Sequence, residues 1–234
     1  KYGANIENDL VNLYSYNQTV DGTEEDWYGL VNVSQKLRKD VVDALNAMYK
    51  DYYTALEKTD VVITKTYVSA EAQQKDYDSK IENADPADKA YMQAGGYSEH
   101  QTGLAFNLRN DDNNWFVDNC WKYGFIQRYP DGKESVTKVK DEDNHYRYVG
   151  VPHALYIKLN KLAFEEYLGL LETKTYNSRL KLDDGTSDKY ETYAVKAEKG
   201  AETQIKVPAE SSGWGYTVSG TNNDYFVVTI YKIN

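Results

Sequence analysis

The 234 residues carry 37 acidic against 27 basic side chains, a formal charge of −10, which argues against binding to nucleic acid or an anionic membrane. The length suits one medium domain and a small one, and no apolar run is long enough to span a bilayer. A single cysteine, Cys120, excludes a disulfide framework or thiolate metal cage within the chain. No basic-then-apolar leader opens the chain at Lys1.

Residues 1 to about 30 show little periodicity, contain the turn-former Asp21-Gly22-Thr23, and are expected to wrap the domain as an irregular arm. Over residues 34–56, Leu37, Val41, Val42, Leu45, Met48, Tyr52 and Leu56 recur at helical spacing and predict a long amphipathic helix. Residues 61–66 read as a short buried strand and 70–82 as a helix. Asn83-Ala84-Asp85-Pro86 breaks that helix, with Pro86 placed to begin a helical turn. After Gly95-Gly96 comes a loop holding His100, then a strand at 104–108, a helix at 114–123, and strands at 125–128 and 146–149. Cys120 shares a helical spacing with Phe116 and Tyr123, as a small buried packing residue would. A second long helix is predicted over 152–171.

The pattern then changes to five short strands, at 179–182, 190–196, 204–207, 215–219 and 225–233, separated by turn-formers such as Asp183-Asp184-Gly185-Thr186 and Ser211-Ser212-Gly213. The expected organisation is therefore a domain over 1–172 and a small all-β module over 173–234, too small to be very stable alone. Tyrosine is in excess, with 23 residues. Its ring can stack on sugars or peptides, although aromatic side chains also simply fill strands.

Chemistry concentrates in Ser98-Glu99-His100-Gln101-Thr102-Gly103-Leu104-Ala105-Phe106-Asn107. This stretch resembles the S-x-H-x-x-G-x-A-x-D signature of the VanY-type D-alanyl-D-alanine carboxypeptidases, zinc enzymes that trim peptidoglycan stem peptides. Residues 141–150 (Asp141-Glu142-Asp143-Asn144-His145-Tyr146-Arg147-Tyr148-Val149-Gly150) are similar to the family's E-P-W-H-x-R-Y-V-G, with Asp143 and Asn144 in place of Pro and Trp. Residues 119–126 and 128–134 resemble its N-A-x-x-Y-G-F-I and R-Y-P-x-G-K-E segments, and 66–74 its G-Y-R-S-Y-E-T-Q-Q. The likeness runs from about residue 25 to 170 in matching order. It implies an α+β, hedgehog/DD-peptidase-like domain: a small antiparallel sheet with helices, in the group that includes lysostaphin-type zinc folds.

By that resemblance His100, the position of Asn107, and His145 are the metal ligands, Glu142 is the general base, and Gln73 and Ser98 lie in the substrate site. Val68 stands where the family's Arg receives the substrate carboxylate. A catalytic zinc takes three protein ligands and a water, whose pKa it lowers from about 15.7 towards 7 so that a carboxylate can accept the proton.

Asn107 keeps the shape of Asp without its charge, and zinc sites seldom use an amide oxygen. Losing even an outer partner costs about 10- to 100-fold in metal affinity. Asp111 and Asp112 are candidate substitutes, but Asp111 would lie roughly 13 Å further along an extended strand. Val68 offers neither charge nor donor to a carboxylate. Arg109 is a candidate to project into the cleft, while Arg128 and Arg147 match other family positions. Glu99 reads as a solvated loop charge, and His153 as a capping or packing residue rather than a ligand.

The leading expectation is an extracellular or cell-envelope bacterial protein whose zinc is weak or absent and whose zinc catalysis is degraded, retaining a cell-wall peptide or protein partner. The alternatives are an active zinc D,D-carboxypeptidase, and an adhesion or wall-targeting protein that works through its β-module.

Overall fold

Strand alternation is what separates core from cleft in the first part of this protein. The computed structural model describes residues 6–20, 28–110, 113–140, 142–183 and 189–233, and the chain divides into units 1–150 and 151–234. The first unit opens with a 3-10 turn at Glu7–Asp9, strand β1 (Leu10–Asn12) and helix α1 (Leu13–Val20). The expected irregular arm is thus partly regular: β1 pairs antiparallel with β3 (Lys36–Arg38), and Leu13 is fully buried. A three-residue strand is too short for period-2 alternation to register in the sequence.

A five-stranded sheet follows in the order β2 (Gly29–Leu30), β4 (Val62–Lys65), β5 (Ala105–Arg109), β7 (Glu142–Tyr148), β6 (Phe125–Tyr129). Only the β2–β4 pair is parallel. Successive side chains point to opposite faces. Ile63, Phe106, Leu108 and Tyr146 therefore join one core cluster, while the positions beside them include the polar Asn107 on β5 and His145 and Arg147 on β7.

Helix α2 (Lys39–Leu56) supplies the other side of that core with Val41, Val42, Leu45, Met48, Tyr49 and Tyr52. Each fully buried aliphatic side chain of this kind stabilises by about 1.5–3 kcal/mol. The helix starts at Lys39 rather than 34 because residues 36–38 are committed to β3. Helix α3 (Ala70–Ile81) is N-capped by Ser69, whose Oγ accepts from Ala72 N at 3.1 Å, and α4 (Pro86–Lys89) has Pro86 in its first turn. Helix α5 (Asn113–Asn119) runs into a 3-10 segment at Cys120–Tyr123 in which Cys120 is buried, and α6 (Glu134–Thr137) is a single turn.

One boundary matters for function. The sequence pattern puts Glu142 and His145 just ahead of a strand, yet they lie on β7 itself. The ladder extends through them because Glu142 pairs with Tyr129 and His145 with Asn107. Asp and Asn are poor strand formers, so the strand pattern in the sequence begins only at Tyr146.

In the second unit the predicted 152–171 helix is two helices, α7 (Val151–Asn160) and α8 (Phe164–Glu172). Lys161 adopts a left-handed φ of 52°, and Ala163 N donates to Glu166 Oε2 at 2.6 Å to start α8. No Gly or Pro marks that break, so apolar spacing reads straight across it. Four antiparallel strands follow, in the order β10 (Trp214–Gly220), β11 (Tyr225–Lys232), β9 (Lys189–Lys196), β8 (Leu180–Asp183). The expected fifth strand at 204–207 joins no ladder among the described residues. Its Ile205 and Val207 pack on the Tyr193–Val228–Ile230 cluster, so side-chain alternation is satisfied without a ladder. The structure groups α7 and α8 with these strands, where the sequence pattern ends the first domain at residue 172. The turn-formers at 21–23 and 184–186, together with Asp111 and Asp112, lie outside the described residues.

His153 is a packing residue, as its sequence context implies. Nδ1 lies 2.6 Å from Tyr167 Oη and Nε2 lies 2.8 Å from Thr229 Oγ1, and burial pushes its pKa down to about 4 from 6.5. Between those values the unfolded chain binds the extra proton, so this contribution is fully present above pH 6.5 and is lost as pH falls to about 4. It amounts to about 3 kcal/mol at most. Urea titrations at several pH values should give a shallower acid decline for His153→Gln than for wild type; identical slopes would refute the assignment.

Candidate functional site

Three neighbouring strands each place one polar side chain on the face opposite the core. A register irregularity between Ile63 and Lys65 takes Lys65 of β4 off the face of Ile63 and pairs it with Asn107 on β5, which in turn pairs with His145 on β7. Directly opposed residues hold their Cβ atoms about 4.5–5.5 Å apart, so these three form a row across the sheet.

His100 reaches the row from a 3-10 turn, Glu99–Thr102. That turn ends at Gly103, whose φ of 65° suits glycine and where a Cβ would come within 2.6 Å of Leu10 Cδ2. Upstream, Gln101 Oε1 accepts from Gly96 N at 2.8 Å and more weakly from Ser98 N at 3.3 Å, which holds the turn in shape.

The His100 and His145 rings stand with centroids 4.9 Å apart, and both are buried. Glu142 Oε2 lies 3.3 Å from His145 Nδ1. Asn107 Nδ2 donates to Asn144 Oδ1 at 3.2 Å and marginally to Glu142 Oε2 at 3.5 Å. His100, Asn107, Glu142 and His145 line a cavity of about 280 Å³, with Lys65, Gln73 and Ser98 on its wall. Gln73 is held by a 2.7 Å bond from Nε2 to Gln93 O.

Val68 does not line the cavity; its N–H donates to His100 O at 3.3 Å, so it contributes backbone only. Arg109, exposed at the end of β5 opposite Val62, does not line it either.

Glu99 corrects the sequence reading most sharply. Instead of a solvated loop charge it is 2% exposed, with Oε1 at 2.7 Å from Arg128 Nε and 3.3 Å from Arg147 Nη1. Its Oε2 approaches His145 Nε2 to 3.7 Å, within ion-pair range but beyond hydrogen-bond length. A lone acidic residue carries no periodic signal. The available clue is a pair of arginines, at 128 and 147, in two of the family-like segments.

Burial works against the Glu99 charge, but Arg128 and Arg147 outweigh it and hold the carboxyl well below its usual range. Burial also pulls His145 down, and Glu142 and Glu99 overcome that pull to raise it. His100 is pushed well below its ordinary value by burial, then by the charges of His145 and Lys65. Burial lowers Lys65, against the pull of Asp76 and Glu142.

The imidazole pair fits a metal. Two imidazoles sharing a tetrahedral zinc at nitrogen distances of about 2.0–2.1 Å hold their ring centroids about 5 Å apart, and His100 Nδ1 and Asn107 Oδ1 are buried without hydrogen-bond partners. The third position does not fit, since Asn107 offers zinc only a neutral oxygen. Among the described residues no group of three His, Cys, Asp or Glu side chains is arranged to hold a metal ion.

A buried histidine pair and a carboxylate, set on an antiparallel sheet beneath helices, place the molecule in the class of zinc-peptidase-type α+β folds. Comparison with known proteins then defines the family. Residues 34–151 match the family described as VanY: D-alanyl-D-alanine carboxypeptidase, and the chain belongs to that family.

A D-alanyl-D-alanine carboxypeptidase of Enterococcus faecium is 29% identical over 97% of this chain and 70% of its own length; other relatives are matched over about half their length. The vancomycin-resistance D,D-dipeptidase VanXYg, solved with a D-Ala-D-Ala phosphinate analog, superposes with a TM-score of 0.74 at 28% identity, covering 85% of this chain and 82% of that one. The D,D-pentapeptidase VanY of a VanB-type cassette, solved as a point mutant in complex with Zn(II), gives 0.52 at 29% identity over 60% and 87%.

Proposed function

We propose that this protein binds the peptide stem of peptidoglycan, outside the cell or in its envelope, through a carboxypeptidase cleft in which zinc catalysis is degraded. The observation that supports this most is Asn107, which stands in register between His145 and Lys65, at the position where the family pattern has the anionic ligand. The cleft keeps what peptide binding needs: Glu142 and the His100–His145 pair as acceptors and donors, and Gln73 and Ser98 on the wall. Val68 removes the bidentate partner of a terminal carboxylate.

The test is metal content and turnover together. Protein purified without chelator should contain well under one zinc per chain and release no D-alanine from a pentapeptide stem, yet bind that peptide. Stoichiometric zinc with zinc-dependent release of D-alanine would establish the second reading, an active D,D-carboxypeptidase. The retained imidazole spacing of 4.9 Å and the position of Glu142 favour that second reading.

A further inference from the structure

The cleft contains a cation that the family resemblance does not assign. Lys65 is half-buried, lines the cavity, and stands in register beside Asn107. Among the described residues its ammonium has no hydrogen bond and no carboxylate within ion-pair distance. The nearby charges are engaged elsewhere: Asp76 with Lys80 at 2.7 Å, Glu99 with Arg128 and Arg147, and Glu142 with His145 at 3.3 Å. A partly desolvated ammonium without a partner is costly unless something anionic joins it. An open cavity beside it of about 280 Å³ lies near the lower end of small-ligand sites, room for a terminal residue or two of a peptide.

We infer that Lys65 is the carboxylate-receiving group of this cleft, taking the free C-terminal carboxylate of a peptide ligand and doing so without a metal. This rests on the peptide-binding reading above and names the residue that would carry it. Arg109, the other cation considered for the role, is exposed and outside the cavity. Lys65 approaches from strand β4, so the carboxylate would sit beside Asn107 rather than at position 68. The same ammonium also opposes a divalent cation at Asn107, so anion capture and loss of metal are two consequences of one side chain.

The experiment uses the full chain in chelator with three probes: diacetyl-L-Lys-D-Ala-D-Ala, its C-terminal amide, and acetyl-L-Ala-L-Ala as a free acid. Calorimetry gives affinities, and spectra of ¹³C-lysine-labelled protein report on Lys65, its signal assigned by Lys65→Met. A charge-assisted hydrogen bond sets the scale at about 10- to 100-fold. Wild type should bind the D-Ala acid that much more tightly than the amide. Lys65→Met should lose that margin for the acid and leave the amide unchanged, and Lys65→Arg should keep most of it.

Equal affinity for acid and amide, or an unchanged acid affinity in Lys65→Met, overturns the inference and leaves stem-peptide binding standing if the tripeptide binds at all. Failure of the D-Ala tripeptide while acetyl-L-Ala-L-Ala shifts the Lys65 signal removes the stem peptide and keeps the anchor. A Lys65 signal that no carboxylate moves overturns the inference as well.

Discussion

Glu99→Gln is expected to destabilise the first unit by about 3–5 kcal/mol, the cost of breaking a buried ion pair by removing one partner. The glutamine is nearly isosteric, so packing changes little and the loss is electrostatic. Arg128 and Arg147 would keep their charges with side chains only 7% and 11% exposed, and the replaced carboxylate also backs His145. Lys80→Ala, which removes an exposed i,i+4 pair with Asp76, should cost only a few tenths of a kcal/mol. Urea unfolding of both variants separates the two cases. A double variant, Glu99→Gln with Arg128→Met, should recover part of the loss because one stranded charge leaves with its partner. A Glu99→Gln loss below about 1 kcal/mol would mean that other partners, water or rearrangement satisfy the arginines, and that this cluster does not brace His145.

The parts of the fold that the sequence made legible are those with a repeating physical signal. The apolar face of α2 and the proline opening α4 each state a local rule, and the structure follows it. Where local chemistry and tertiary pairing conflict, the reading fails. Glu142, Asp143 and Asn144 look like loop residues, yet pairing with β6 at Tyr129 and with β5 at Asn107 draws the segment into β7. Val207 and Ile205 alternate as a strand does, yet only their side chains are used. In the site, motif residues could be named because their types are chemically restricted. Glu99 and Lys65 could not, since a charged side chain reveals its role only when the fold brings its partners, or none, to it.

Asn107→Asp is expected to raise zinc affinity by well over 10-fold, because it restores an anionic oxygen in register beside His145, whose ring and that of His100 are already spaced to share a metal. The gain should remain incomplete, because Lys65 stands next to the new carboxylate and would compete with the metal for it; adding Lys65→Met should raise affinity further. Turnover is a separate matter. Val68 presents only its backbone to His100, so a bound metal would still face a substrate with no guanidinium to orient its carboxylate. Val68→Arg alone should do little, and the pair Asn107→Asp/Val68→Arg should act non-additively, since metal activation and substrate anchoring serve the same transition state. Calorimetric zinc titrations and D-alanine release from a pentapeptide stem, run on wild type, both single variants and the pair, give the full cycle. Unchanged zinc affinity in Asn107→Asp would show that the amide at position 107 does not limit metal binding. A silent pair with zinc bound would direct attention to Asn144, whose Oδ1 accepts from Asn107 in the present arrangement and which stands, beside Glu142, where the resemblance places a tryptophan.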